Sequence, residues 1–331
     1  MTATAAWPAP GWEAGALAWS AAQLAARGVR ITGAAVTVRA HAWSIVLQLP
    51  TTAGPVYCKA CAPAMAAEMR LLPRLAAWSP ALLPPVLSVD EAAGWLLLGD
   101  GGDLLRPIIK ADRDLDHWRQ ILAGYAALQR SLLPMREELL GLGVWDRTLA
   151  ALPGEYAGLL ADTDALLIGK PDGLRAEEHG QLLALAPRFA ADCADLAALG
   201  IPASIDHSDL HDGNVLLSDG RYVLIDWGDA CVGHPFMTLP ITLRSIAYHL
   251  ELAAEDRALA DLRDGYLAAW SDYAPLPALR AAFERARRIS MVNRALTWRA
   301  ALRQATPTQR ATDAGAVPGW LQEYLAAADK P

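Results

Sequence analysis

The spacing of apolar and polar positions changes character about a third of the way along the chain. Residues 11–27 are Ala-rich, with Leu17 and Leu24 seven apart and Gly28 immediately after, the pattern of one helix closed by a glycine stop. Three strand-like stretches follow. The first, 29–39, carries Ile31, Val36 and Val38; the second, 43–49, alternates Ile45, Leu47 and Leu49; the third is 55–61, entered through a turn at 50–54. Pro63 suits the first turn of the next helix, on which Met65, Glu68, Leu72 and Leu75 share one face. Pro73 is expected to kink that helix or end it early. Two further strands, 86–90 and 95–98, complete a five-stranded antiparallel sheet with one main helix. The Gly99-Asp100-Gly101-Gly102-Asp103 cluster reads as a hinge.

Beyond the hinge the pattern is helical. Leu115, Trp118, Leu122, Tyr125, Gln129 and Leu132 recur every three or four residues, and 177–199 reads as a second long helix. Helices resume after Pro240 and run to about Leu325, with breaks at Pro275 and Pro277. Only 206–229 departs from this habit: two short strands, 215–217 and 222–225, flank the turn Ser218-Asp219-Gly220-Arg221. The implied organisation is an α+β chain: residues 1–99 as a sheet-containing lobe with a leading helix, 100–103 as a hinge, and 104–331 as a larger helical lobe.

The same non-helical segment holds the densest set of oxygen-bearing side chains. It reads His207-Ser208-Asp209-Leu210-His211-Asp212-Gly213-Asn214, followed after the hairpin by Ile225-Asp226-Trp227-Gly228-Asp229. A hairpin folded back on itself should bring Asn214 and Asp226 to its open end, with Asp209 on the loop that feeds it. Converging carboxylate and carboxamide oxygens suit hard magnesium. A carboxylate beside them, free of metal, can accept the proton of an attacking hydroxyl.

Composition narrows the classes. With 331 residues, 53% hydrophobic and 20% charged, the chain is long and apolar enough for one large or two modest domains. The net charge of −7 argues against a general nucleic-acid binder, which needs a basic stripe. Residues 1–12 contain no Lys or Arg, unlike a secretory leader, and no uninterrupted apolar run reaches membrane-span length. The expectation is a cytoplasmic globular protein with no nucleic-acid or membrane partner. Cys58 and Cys61 form a lone C-x-x-C, without a second pair to complete a zinc site, and read as small buried residues at a strand end.

The H-S-D-L-H-D-G-N-V-L segment with I-D-W-G-D resembles the aminoglycoside phosphotransferase and choline kinase-like family, and more distantly the catalytic loop and metal site of protein kinases. The resemblance implies a bilobal protein kinase-like fold and a phosphotransferase that uses magnesium with ATP or GTP and acts on a small-molecule hydroxyl. By it, Asp209 is the catalytic base, Asn214 and Asp226 are the magnesium ligands, and His207 braces the loop. The family's strand lysine and helix glutamate correspond to Lys59 and Glu68. Glu68 lies on the apolar face of its helix, where an ionised carboxylate is costly unless paired. Ser44 and Leu98 join Lys59 and Glu68 as expected nucleotide contacts. There are departures: the first turn, Arg39-Ala40-His41-Ala42-Trp43-Ser44, has no glycine; Ser208 stands where the family often has Gly; Thr238 replaces an acid in Gly-His-Pro-Phe-Met-Thr-Leu.

The acceptor stays open among aminoglycosides, amino alcohols, sugars and other hydroxyl compounds. Asp212 and Asp229 are candidates to bind an amine on that acceptor, or else turn caps. His211 and His234 read as scaffolding or substrate ligands, and Trp270, Trp298 and Trp320 as core or as stacking faces. A nucleotide-binding regulator without turnover is the rival class, motivated by the missing glycine loop and Thr238.

Overall fold

The structure is a computed structural model in which residues 7–303 and 305–328 are described. In chain order the elements are α1 (Trp12–Ala25), β1 (Val36–Ala40), β2 (Ser44–Thr51), β3 (Gly54–Cys61), α2 (Ala67–Trp78), β4 (Val86–Asp90), β5 (Trp95–Gly99) and β6 (Asp103–Leu104). Then come α3 (Leu105–Asp112), α4 (Asp116–Ser131), α5 (Arg136–Gly141), β7 (Trp145–Arg147), α6 (Leu152–Leu160), α7 (Thr163–Leu166), α8 (Ala176–Ala184) and α9 (Ala186–Ala197). The remainder is β8 (Ser204–Asp206), β9 (Val215–Ser218), β10 (Arg221–Leu224), β11 (Cys231–Gly233), α10 (Leu239–His249), α11 (Arg257–Ala268), α12 (Leu276–Leu302), α13 (Pro307–Thr312) and α14 (Ala316–Ala328).

The chain divides into two compact units. The first joins residues 1–103 to 216–228 and 300–313; the second holds 104–215, 229–299 and 314–331.

The first unit is built on a five-stranded antiparallel sheet in the order β1–β2–β3–β5–β4. Its core is the sheet face that alternation predicts: Leu47, Leu49, Val56, Cys58 and Leu97 pack with Ala16 and Leu24 of α1. Only 36–40 of the first expected strand pairs fully; Ile31 keeps a single bridge to Thr51. α2 runs through Pro73 to Trp78 instead of stopping, because Leu71, Leu72 and Leu75 on either side of the proline are all buried and hold the helix down. The glycine cluster has a steric reason. Gly102 has φ +105, and a Cβ there would collide with the Leu217 carbonyl.

The second unit is helical around a small sheet that the sequence did not announce. β11 lies between β7, parallel, and β8, antiparallel. Strands of three residues are too short to show an alternation, which is why they escaped. The long helix expected over 177–199 is two helices, α8 and α9, with Pro187 in the first turn of the second. Two aromatic clusters pack within this unit: Phe236 meets Tyr266 and Trp270 edge-on, and Tyr156, Phe189 and Tyr324 form a second trio. Trp270 is fully buried, so it is core.

Candidate active site

In the first unit, β3 and α2 bring Lys59 and Glu68 together, and the segment after β10 adds Asp226. Lys59 Nζ lies 2.6 Å from Glu68 Oε2 and 2.7 Å from Asp226 Oδ1. Lys59 and Glu68 are 5% and 1% exposed, so this pair survives only because each charge is answered. Glu68 also accepts the Trp227 N–H at 3.0 Å and the Cys61 thiol at 3.4 Å. Burial alone would lower the Lys59 pKa, but Asp226 and Glu68 outweigh it and raise it, so the side chain is an ammonium throughout the physiological range. Asp226 has φ +65, a left-handed conformation that Asp tolerates better than most residues. Its second oxygen, Oδ2, accepts from Arg39 NH1 at 2.9 Å.

In the second unit the loop after β8 carries Asp209. Burial would raise its carboxyl pKa, but the Arg294 guanidinium, with His211 beside it, holds it well below the usual carboxylate range. Arg294 NH2 is 3.2 Å from Asp209 Oδ1, and NH1 reaches Asp229 Oδ2 at 2.8 Å and the Ser208 carbonyl at 3.1 Å. His211 Nε2 is 3.5 Å from Asp209 Oδ2. His211 Nδ1 accepts the Gly213 N–H at 2.9 Å, so the neutral ring carries its proton on Nε2, toward Asp209. Asn214 Nδ2 donates to the Asp209 carbonyl at 2.9 Å, which fixes which end of the carboxamide is oxygen.

The loop is braced from beneath. Ser208 has φ +62, and its N–H and Oγ donate to Asp206 Oδ1 at 2.7 and 2.8 Å. Thr238 Oγ1 donates to the same oxygen at 2.8 Å. The position at which the sequence lacks an acid, 238, thus reaches a carboxylate supplied by β8 instead. Asp206 is fully buried, and that burial raises its pKa to about 6. Gly213 packs closely, since a Cβ there would sit 2.6 Å from the Arg106 guanidinium and would have to push that side chain aside.

A model of the phosphotransferase enzyme family (APH) matches residues 41–282. The chain belongs to that family. This phosphotransferase resembles solved structures along most of its length, and at these identities the likeness is one of fold. The Plasmodium vivax ethanolamine kinase gives a TM-score of 0.60 at 11% identity, covering 90% of this chain and 82% of that one. A choline/ethanolamine kinase family protein from Mesorhizobium loti gives 0.59 at 19% identity and covers 96% of each chain. The GDP and kanamycin complex of APH(2")-IIia gives 0.60 at 13%, covering 90% and 93%. The phosphotransferase therefore has the protein kinase-like fold, with a five-stranded antiparallel sheet and a helical remainder. No curated protein sequence matches it.

Of the residues singled out from sequence, the phosphotransferase joins Lys59, Glu68 and Asp226 in its first unit and Asp209 with Asn214 in its second. Ser44 opens β2 opposite Cys61 and is only 3% exposed. Leu98 lies in β5 between Tyr57 and Val86. Asp229 is engaged by Arg294, and Asp212, 2% exposed, by Arg106 at 2.9 Å. Sequence reasoning missed Arg39, Arg106, Arg294 and Asp206. Asp206 alone left a trace, an acid directly after the largely apolar Ile201-Pro202-Ala203-Ser204-Ile205. Among the described residues no cluster of three or more His, Cys, Asp or Glu is arranged to hold a metal, and no helix is long and apolar enough to cross a membrane.

Proposed function

We propose that this phosphotransferase moves the terminal phosphoryl group of ATP or GTP, bound with magnesium, onto a hydroxyl of a small molecule, with Asp209 as the base. The observation that carries the reading is Lys59, a buried ammonium held by Glu68 and aimed at Asp226. An ion pair buried at this depth is expensive as a structural device and well suited to gripping phosphate oxygens.

Asp226 and Asn214 are the proposed magnesium ligands. The donor chemistry fits: one carboxylate and one carboxamide oxygen are enough for a cation that draws its other ligands from phosphate and water. Asp226 has two cations against it, Lys59 at Oδ1 and Arg39 at Oδ2. When bound, magnesium neutralises charge on the phosphates.

Asp209 orients the acceptor hydroxyl and takes its proton. The bond from acceptor oxygen to terminal phosphorus forms, the bond from that phosphorus to its bridging oxygen breaks, and the nucleoside diphosphate leaves. The arginine that depresses the Asp209 pKa makes it a weak base, so its contribution is orientation first and late proton capture second. The solved relatives name ethanolamine, choline and kanamycin among their ligands or families. We extend this to an amino alcohol, sugar or aminoglycoside acceptor. An amine on such an acceptor would have to displace a guanidinium to reach Asp212 or Asp229.

The test is magnesium-dependent consumption of ATP and GTP over a panel of amino alcohols, sugars and aminoglycosides, with Asp209→Ala as the blank. Turnover with at least one acceptor, abolished in the variant while nucleotide binding persists, is expected. Unchanged turnover in Asp209→Ala would remove the mechanism.

A further inference from the structure

The turn between β1 and β2 is where a kinase-like sheet would be expected to offer backbone N–H groups to phosphate, and here it is filled with side chains. The His41 N–H closes it on the Ser44 carbonyl at 2.8 Å, and the His41 and Trp43 rings stack 4.9 Å apart at 4°. Ala42 and Ser44 are 7% and 3% exposed. The His41 N–H is already spent on Ser44 and no glycine allows close approach, so this turn is poorly suited to cradling a phosphate. Positive charge must come from elsewhere on the sheet.

The strand register shows where. Val46 of β2 lies opposite Lys59 of β3 on one side and opposite Arg39 of β1 on the other. Directly opposed residues share a sheet face, so Arg39 and Lys59 project on the same side. This is the work of a bulge: Thr37 pairs with Leu47 and Arg39 with Val46, leaving Val38 as the extra residue. Without it Val38, not Arg39, would stand opposite Val46.

Both cations then converge on Asp226, Lys59 on Oδ1 at 2.7 Å and Arg39 on Oδ2 at 2.9 Å. They differ in kind. The Lys59 side chain is 7% exposed and fixed by Glu68; that of Arg39 is 34% exposed, on an edge strand, where an ion pair is weakly held. A guanidinium so placed can leave one anion for a stronger one, and its planar fork suits phosphate oxygens.

We propose that Arg39 is a nucleotide-phosphate ligand, which exchanges its contact with Asp226 for the polyphosphate when a magnesium nucleotide binds. The proposal rests on the phosphotransferase reading above and assigns to one side chain the role that a glycine-rich loop would otherwise fill. It accounts for both the bulge and the glycine-free turn.

Calorimetry with magnesium-ADP, magnesium-GDP and the bare nucleosides tests it on the wild type, Arg39→Gln and Arg39→Lys. Arg39→Gln is expected to weaken the preferred diphosphate by about tenfold and to leave nucleoside binding alone, since only a charge-assisted contact to phosphate is lost. Arg39→Lys should recover part of the loss, as a point charge without the fork. Manganese alone, followed by electron paramagnetic resonance, should bind Arg39→Gln more tightly than the wild type, because Asp226 has lost a competing cation. Equal diphosphate affinity in wild type and Arg39→Gln overturns the phosphate role, as does an equal loss for nucleoside and diphosphate. Unchanged or weaker manganese binding overturns the exchange at Asp226. A wild type that binds neither diphosphate overturns the broader functional reading as well.

Discussion

Arg294, on the long helix α12, reaches Asp209 with one guanidinium nitrogen and Asp229 with the other, at 3.2 and 2.8 Å. Replacing it with Gln removes the charge that holds the Asp209 carboxyl down, so its pKa rises toward the ordinary carboxylate range or beyond, given its burial. If Asp209 is the base proposed above, its ionised form is then lost at higher pH than in the wild type. The acid limb of kcat/KM in Arg294→Gln should move upward, and kcat should fall by about a hundredfold as the loop loses its orientation. Matching pH–rate profiles for the two proteins would show that Arg294 acts only on Asp229.

Lys59 and Glu68 make a stability prediction separable from activity. Lys59→Met leaves Glu68 buried without its cation and should lower the unfolding free energy by about 3 to 5 kcal/mol. Adding Glu68→Gln should recover most of that loss in a denaturant titration while phosphoryl transfer stays absent. Failure of the double variant to regain stability would mean that Lys59 is held chiefly by Asp226.

Asp206 predicts a pH dependence of stability. Its folded pKa, about 6, lies above the usual carboxylate value of 3.8. Its contribution is therefore fully present below the unfolded value and is lost as pH rises through 6, by about 3 kcal/mol. His234 works in the opposite sense. Burial lowers it to about 3, so it removes stability as pH falls below its unfolded value of 6.5. The difference between wild type and Asp206→Asn, measured at pH 5 and pH 7.5, isolates the carboxylate. The wild type should gain relative to the variant at the lower pH. The neighbouring Tyr125, Tyr266 and Cys231 are all shifted upward and do not titrate in this window.

Much of this was legible in the sequence, and the boundary of legibility is physical. β2 to β5 and the helices α1 and α4 carry enough consecutive periodic residues to announce themselves, and the spacing from Asp209 to Asn214 and on to Asp226 marks the residues proposed to carry the chemistry. Of the two outcomes expected at Pro73, a kink or an early end, the early end did not occur, because buried leucines flank it in α2. The charges that set the site are silent because their partners are remote: Arg39 lies 187 residues from Asp226, Arg106 lies 106 from Asp212, and Arg294 lies 65 from Asp229. Arginines on helices and edge strands look alike in one dimension. Asp206 is the instructive miss. Thr238 signalled that an acid was absent, and nothing in the spacing said that its hydroxyl would bond the Asp206 carboxylate of β8.

Ser208 tests the bracing by Asp206. Its left-handed backbone costs about 1 kcal/mol for an L-residue, and its hydroxyl bond to Asp206 returns a similar amount. Ser208→Gly should therefore change stability by less than about 1 kcal/mol and leave kcat nearly intact. Ser208→Val, which resists positive φ and lacks the hydroxyl, should destabilise by about 3 kcal/mol. A strongly impaired Ser208→Gly would show that the hydroxyl does more than offset the backbone.

The first unit is not continuous in sequence: it takes in residues 216–228 and 300–313 as well as the amino-terminal stretch. A ribosome therefore delivers Lys59 and Glu68 long before Asp226 exists, and the buried lysine must wait, short of one counter-ion, for roughly half the chain to be translated. Severing the polypeptide at the glycine cluster would yield a fragment with one of the lysine's two counter-ions missing, unsuited to folding as an independent module.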